Sequence, residues 1–275
     1  MAFITISREL AALGDETAHE LSKQLNCRLV DKYVLEARLK SYGIADRKLT
    51  KYDERKPSFL ASLSHGRDDY LHFLKTAIIT EAVQGSCIFI GRGASAILRR
   101  VPGVFSVFLA APMDIRLERV KSYFLCDENR ARHIIEKSDH DRVGFHRYFF
   151  ENDWKDAGNY HLALNTGHLH PEVCAELIKH MRDRVITDEA EKENIQRINE
   201  LNLEQTIKHA ILYEKEIPIH FLELAVSMEK VHLYGVANSP ALVEAALAVA
   251  RELAPNAELL SEIQVVQEYY FPMSS

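Results

Sequence analysis

The residues of this chain best suited to chemistry are charged side chains set beside glycines at the ends of apolar runs. The first apolar run, Phe3 to Ile6, leads into a loop that closes on Gly14, Asp15 and Glu16. A loop that cradles phosphate needs glycines, so that backbone N–H groups can turn onto the ligand, and a Lys followed by Ser or Thr. Here Gly14 is the loop's one glycine, and Asp15 and Glu16 stand where Lys and Ser/Thr belong. A carboxylate about 4 Å from one phosphate charge is repelled by about 4 kcal/mol at an effective dielectric near 20. The same residues also read as a helix start, where acids are favoured at the positive end of the dipole. Function turns on which of the two readings this loop obeys.

Arg92 lies between Gly91 and Gly93 at the end of the run Cys87–Ile90. A guanidinium in that position either grips a phosphate bidentately or is an exposed strand-end side chain. Arg116 and Arg119 share one helical face, with Asp114 and Glu118 close enough to make an ordinary salt-bridged surface. Asp139 and Arg142 also share a face. They could hold a base edge and a phosphate, or form a solvated ion pair worth less than about 1 kcal/mol. Asp31 ends a second short strand. His168 and His170 lie near His161 with no further ligand at a fixed spacing, so no metal site is assigned. No Ser/His or Cys/His pair has a nucleophile's signature.

These residues need elements to hold them. Strands are expected at Phe3–Ile6, Arg28–Asp31, Cys87–Ile90, Val104–Ala110 and Tyr160–Asn165. Helices are expected at Glu16–Leu25, Tyr33–Tyr42, Arg67–Gln84, Ala94–Arg100, Met113–Phe124, Asp127–Phe150 and Pro171–Arg184. Residues 45–66 read as an irregular excursion of the kind that covers a ligand. Tyr148, Phe149, Phe150 and Trp154 read as helix packing. Continuous apolar strands alternating with helices predict an α/β fold, a three-layer parallel sheet with helices on both faces. Ligands in such sheets sit at the carboxyl ends of the strands, where the Gly14 loop, Asp31, Arg92 and the helix after Ala111 all fall.

The chain has 275 residues, 47% hydrophobic and 27% charged, which suits a globular protein with a substantial core. Its four cysteines have no metal or redox spacing and read as free thiols in a reducing cytoplasm. No apolar run approaches the roughly 20 residues that span a bilayer, and a strand at Phe3 leaves no room for a signal peptide. The net charge of −6 falls entirely in residues 201–275, with four Lys/Arg against ten Glu. Residues 91–147 hold eleven Lys/Arg against seven acids. A basic middle suits a small anionic ligand, and the acidic tail disfavours nucleic acid and anionic lipid.

The first domain is expected over 1–186 and a polar linker or solvated helix over 187–200. A small α+β domain with the order αββαβ is expected over 201–275, with helices at Leu203–Tyr213 and Ser239–Leu253, a hairpin from Pro218 to Gly235 and an edge strand at Glu258–Val266. Tyr269, Tyr270 and Phe271 form an apolar tail suited to docking.

The order of these pieces resembles the cytidylate-kinase-like family of P-loop proteins over about residues 3–184. The resemblance is carried by ITISREL, CRLVDKYVL, IFIGRGASAILRRVPGVFSVFLAAPMDIRLERV, the stretch from Ser138 to Trp154, and NYHLALNTGHL. It implies a nucleoside monophosphate kinase fold that moves a phosphoryl group from ATP to CMP or dCMP, using arginines and Mg²⁺ for charge neutralisation. By position, Arg92 would hold the acceptor's phosphate and Asp31 would lie near the acceptor nucleotide or Mg²⁺. Asp139 and Arg142 resemble the acceptor-binding pair, and Arg116 and Arg119 would be lid-side catalytic arginines. The departure is the first loop. A GSGGRE-like or GSGKST-like run is replaced by Ala11, Ala12, Leu13, Gly14, Asp15, Glu16 and Thr17. Residues 203–268 resemble a BON domain through Val231–Val236 and the alanine-rich helix that follows.

Two functions are therefore expected. The first is a nucleotide- or anion-binding protein whose phosphotransfer is weak or lost, with a C-terminal module that meets a protein partner. The alternative is an active kinase that needs ATP and Mg²⁺.

Overall fold

The structure, a computed structural model, describes residues 3–43 and 66–266. The chain divides into two compact units, Met1–Ile195 and Gln196–Ser275. The excursion expected at 45–66 lies outside the described residues but for its last, and the tail at 269–271 lies wholly outside them.

In the first unit the order is β1 (Phe3–Arg8), α1 (Gly14–Leu25), β2 (Arg28–Val30), α2 (Lys32–Ser41), α3 (Gly66–Val83), β3 (Cys87–Ile90) and α4 (Ala94–Ile97). It continues through β4 (Val104–Ala110), α5 (Met113–Phe124), α6 (Glu128–Phe150), β5 (Leu162–Asn165) and α7 (Pro171–Val185). The sheet order is β2-β3-β1-β4-β5, and every pairing is parallel. Its inner strands are buried on both faces because helices cover both. Ile4, Ile6, Ile88, Ile90, Phe105, Val107 and Leu109 pack with Ala18 and Leu21 of α1 and Ala175 and Ile178 of α7. On the opposite face Phe108 meets Trp154 and Tyr160, and Tyr70 of α3 meets Phe149 of α6.

Helix α8 (Asp188–His209) runs through the stretch expected as a polar linker or solvated helix, taking the helical alternative, and into the second unit. The composition left both readings open because two of the buried positions in that stretch, Asn194 and Glu200, are polar, beside an apolar Ile198. The second unit continues with β6 (His220–Val226), β7 (Lys230–Ala237), α9 (Pro240–Leu253) and β8 (Glu258–Val265). β6 runs antiparallel and β8 parallel to the central β7. Ile207, Ile211, Leu222, Leu224, Val231, Leu233, Ala246 and Val249 form its core. Ser239 takes the N-cap position of α9 but makes no side-chain capping bond, so Pro240 at the first turn sets that helix start. Among the described residues no helix is long and apolar enough to cross a membrane.

Candidate functional site

The parallel sheet brings the loops after β1, β3 and β4 to one edge, with Thr166 following β5 there. At the centre, residues 9–13 join β1 to α1. Ala11 and Leu13 adopt left-handed backbone conformations, with φ of 62° and 52°. Each costs about 1–2 kcal/mol for a side chain bearing a Cβ, so the turn needs outside support. Gly14 is required for a different reason. A Cβ there would lie 2.4 Å from Arg8 Cγ, and Arg8 passes over it to lie 3.6 Å from Asp15.

Support for the loop comes from α5. Arg116 Nε donates to the Leu10 carbonyl at 2.8 Å. Arg119 Nη1 donates to the Ala11 carbonyl at 2.9 Å, and its Nη2 to the Thr166 carbonyl at 2.7 Å. From α6, Asp139 accepts the Leu10 N–H at 3.2 Å through Oδ1 and Arg116 Nη2 at 2.6 Å through Oδ2. Hydrogen bonds from charged groups contribute about 1.5–3 kcal/mol each, so together they outweigh the cost of the two strained residues.

A buried charge cluster surrounds this support. Glu9 meets Arg116 at 3.2 Å and Lys155 at 2.7 Å, and it accepts the Ala111 N–H at 3.3 Å. Asp139 lies 3.6 Å from Lys155 and 3.8 Å from Arg142. Arg142 donates to Ser138 at 2.8 Å. The loop amides of Leu13, Gly14, Asp15 and Glu16 take no hydrogen-bond acceptor among the described residues, and α1 begins at Gly14 with no side-chain cap. Successive turn amides at a helix N-terminus form a concavity that favours anions. Against that, Asp15 and Glu16 sit exposed in the first turn. Burial pulls the Arg119 pKa below its ordinary value, and the charge of Glu16 opposes that shift.

The structure therefore gathers Gly14, Arg116, Arg119, Asp139 and Arg142 into one assembly. The two arginines of α5 meet neither Asp114 nor Glu118 in the way their spacing suggested: Glu118 pairs with Lys121 at 2.8 Å. They are turned onto the chain's own loop rather than outward toward a transferred group, and Arg116 is 3% exposed. Asp139 is 8% exposed and takes Arg116 as its near partner, so the expected solvated Asp139–Arg142 pair is instead a buried set.

Asp31 caps α2, accepting the Tyr33 and Val34 amides at 2.9 and 3.0 Å through Oδ1. Arg92, itself left-handed at φ 54° and 4% exposed, donates to Glu36 of α2 at 2.6 Å. It is not an exposed strand-end side chain. A Cβ at Gly93 would lie 2.3 Å from the Phe150 ring, which would have to shift to admit it. Spacing alone missed Glu9, Lys155 and Thr166.

A sequence model described as the cytidylate kinase-like family matches residues 3–168. No curated protein matches the chain. Among solved structures, an uncharacterized protein from Eubacterium ventriosum ATCC 27560 is similar at 22% identity and a TM-score of 0.53, over 66% of this chain and 99% of that one. The shikimate kinase from Bacteroides thetaiotaomicron aligns at 12% identity and a TM-score of 0.41, over 67% of this chain and 98% of its own. The shikimate kinase from Aquifex aeolicus aligns at 16% identity and a TM-score of 0.41, over 66% and 96%.

Proposed function

The chain belongs to the cytidylate kinase-like family, and on that premise we propose that it binds a nucleotide or similar small anion with phosphotransfer weakened or lost. One observation carries the reading. The cations around the loop are already engaged by the chain's own carbonyls and carboxylates, and the helix turn beside them presents Asp15 where an ammonium is needed. Phosphoryl transfer is positioning plus charge neutralisation, and this arrangement supplies the first without the second.

In this reading the Gly14 loop offers backbone amides to phosphate oxygens. Arg92 and Asp31 stand on the acceptor side, and Asp139 and Arg142 border it. The second unit, read as a BON-like module, takes a protein partner rather than nucleic acid or membrane, in keeping with its acidic charge. Four cysteines without disulfides suit a reducing cytoplasm.

The unsatisfied amides of residues 13–16 favour a second reading. In it, ATP and Mg²⁺ still enter, and Arg116 and Arg119 are released toward the transferred group to make an active CMP or dCMP kinase. A coupled assay for ADP release with CMP and dCMP separates the two, alongside titration calorimetry with ATP and with CMP. Binding of an anion without turnover supports the first reading. Sustained phosphorylation of CMP by the unaltered protein overturns it.

A further inference from the structure

The backbone rotation at Ala11 is the relative orientation of the two peptide planes on either side of it. The carbonyl of one plane belongs to Leu10 and the carbonyl of the other to Ala11. Each is held by a different arginine of the same helix, Arg116 on Leu10 at 2.8 Å and Arg119 on Ala11 at 2.9 Å. The arginines are three residues apart on α5, so one rigid helix face reads both planes at once. Each arginine is itself anchored. Arg116 is buried between Glu9 and Asp139, and Arg119 reaches the Thr166 carbonyl at 2.7 Å. Asp139 closes the arrangement by accepting the N–H of the same Leu10 whose carbonyl Arg116 holds.

We propose that Arg116 and Arg119 are positioning residues that impose on Ala11 the left-handed turn a glycine would otherwise provide, preforming the loop for a polyanion. Its geometry stands on the hydrogen bonds alone, while its use in binding rests on the reading of the loop as an anion seat. A backbone conformation unfavourable to the residue that adopts it persists only where the surroundings over-determine it. Here the surroundings are two guanidinium groups acting on opposite sides of one Cα.

The test is a double-mutant cycle. Arg119→Ala and Ala11→Gly are made singly and together in the full chain, and urea unfolding midpoints are compared. If Arg119 supports the left-handed turn, a glycine at position 11 makes that support redundant. Arg119→Ala then shifts the midpoint less than half as far in the Ala11→Gly background as in the parent. Equal shifts in the two backgrounds overturn the proposal. Should Arg119→Ala fail to fold, Arg119→Gln replaces it, because a side-chain amide keeps only one of the two carbonyl bonds.

Calorimetric titration with inorganic pyrophosphate adds a readout that a merely structural role would not move. Arg119→Ala is expected to weaken pyrophosphate binding about tenfold, and adding Ala11→Gly to restore it to within about threefold of the parent. Weakening that glycine does not rescue means that Arg119 touches the anion itself, which also overturns the proposal. If the parent binds no pyrophosphate, the anion-seat reading fails, and the unfolding cycle alone decides the positioning role.

Discussion

Arg116 and Asp139 form a buried ion pair at 2.6 Å, and the second oxygen of the same carboxylate accepts the Leu10 amide at 3.2 Å. One acid thus joins helices α5 and α6 to the loop after β1. Removing a single partner from a buried pair costs about 3–5 kcal/mol, because the remaining charge stays desolvated. Glu9 at 3.2 Å from Arg116 retains part of the compensation. Asp139→Ala is therefore expected to cost about 3 kcal/mol in urea unfolding, and Asp139→Asn, which keeps an acceptor for Leu10, about half that. A loss below about 1 kcal/mol for the alanine variant would mean that the pair is not the joint described.

Glu81 is expected to contribute acid sensitivity to the first unit. It is 3% exposed and accepts hydrogen bonds from Arg38 at 2.6 Å and Arg28 at 2.9 Å. Burial pushes its carboxyl up, but the hydrogen bonds and charges of Arg38 and Arg28 more than reverse this, leaving the pKa below its ordinary value of 4.5. A carboxylate depressed in the folded state contributes stability above its unfolded pKa and loses it as pH falls through the folded one. Stability should fall as pH drops below 4.5. Glu81→Gln should flatten that limb while lowering stability at neutral pH. An unchanged acid limb in the variant would count against this origin.

Two glycines with positive φ should respond very differently to a methyl group. At Gly93, φ is 70° and an added Cβ would lie 2.3 Å from the Phe150 ring. At Gly43, φ is 82° and nothing among the described residues lies within 4 Å. Gly43→Ala carries the backbone cost alone, about 1 kcal/mol. Gly93→Ala adds overpacking against a half-buried ring and should cost about 3 kcal/mol. Thermal melts of the two variants make the comparison directly, and equal losses would refute the steric part.

Reversing the charge at the head of α1 should improve ATP binding. Asp15 is 68% exposed and lies 3.6 Å from Arg8, so water screens most of its field. A charge pair at about 4 Å in water is worth about 1 kcal/mol, and Asp15→Lys changes the local charge by two. Calorimetry should show ATP affinity raised by about tenfold, with a smaller gain at high salt. An unchanged affinity would show that side-chain charge at position 15 does not limit the site.

Much of the fold is legible along the chain because its signals are local. The apolar runs at Cys87–Ile90 and Val104–Ala110 match β3 and β4 residue for residue, while Pro112 takes the N-cap of α5, one position before the first turn where it was expected. The site was legible only in outline. The spacing of Arg116 and Arg119 identified a shared face but not what it faces, since their acceptors lie 106 and 108 residues away. Asp31 caps α2, a role its sequence position did not separate from that of a strand-end acid. The polar residues Asn194 and Glu200 at buried positions of α8 left residues 187–200 readable as either a linker or a solvated helix.

The arginine grip on the Leu10 and Ala11 carbonyls also bears on how such a loop changes over generations. When a bend is enforced from a neighbouring helix, the bending residues are relieved of advertising it. Glycines can drift to alanine or leucine while the path of the main chain persists. The glycine pattern alone then no longer reports the path of the segment, and part of that information lies in the pair of arginines some hundred positions downstream.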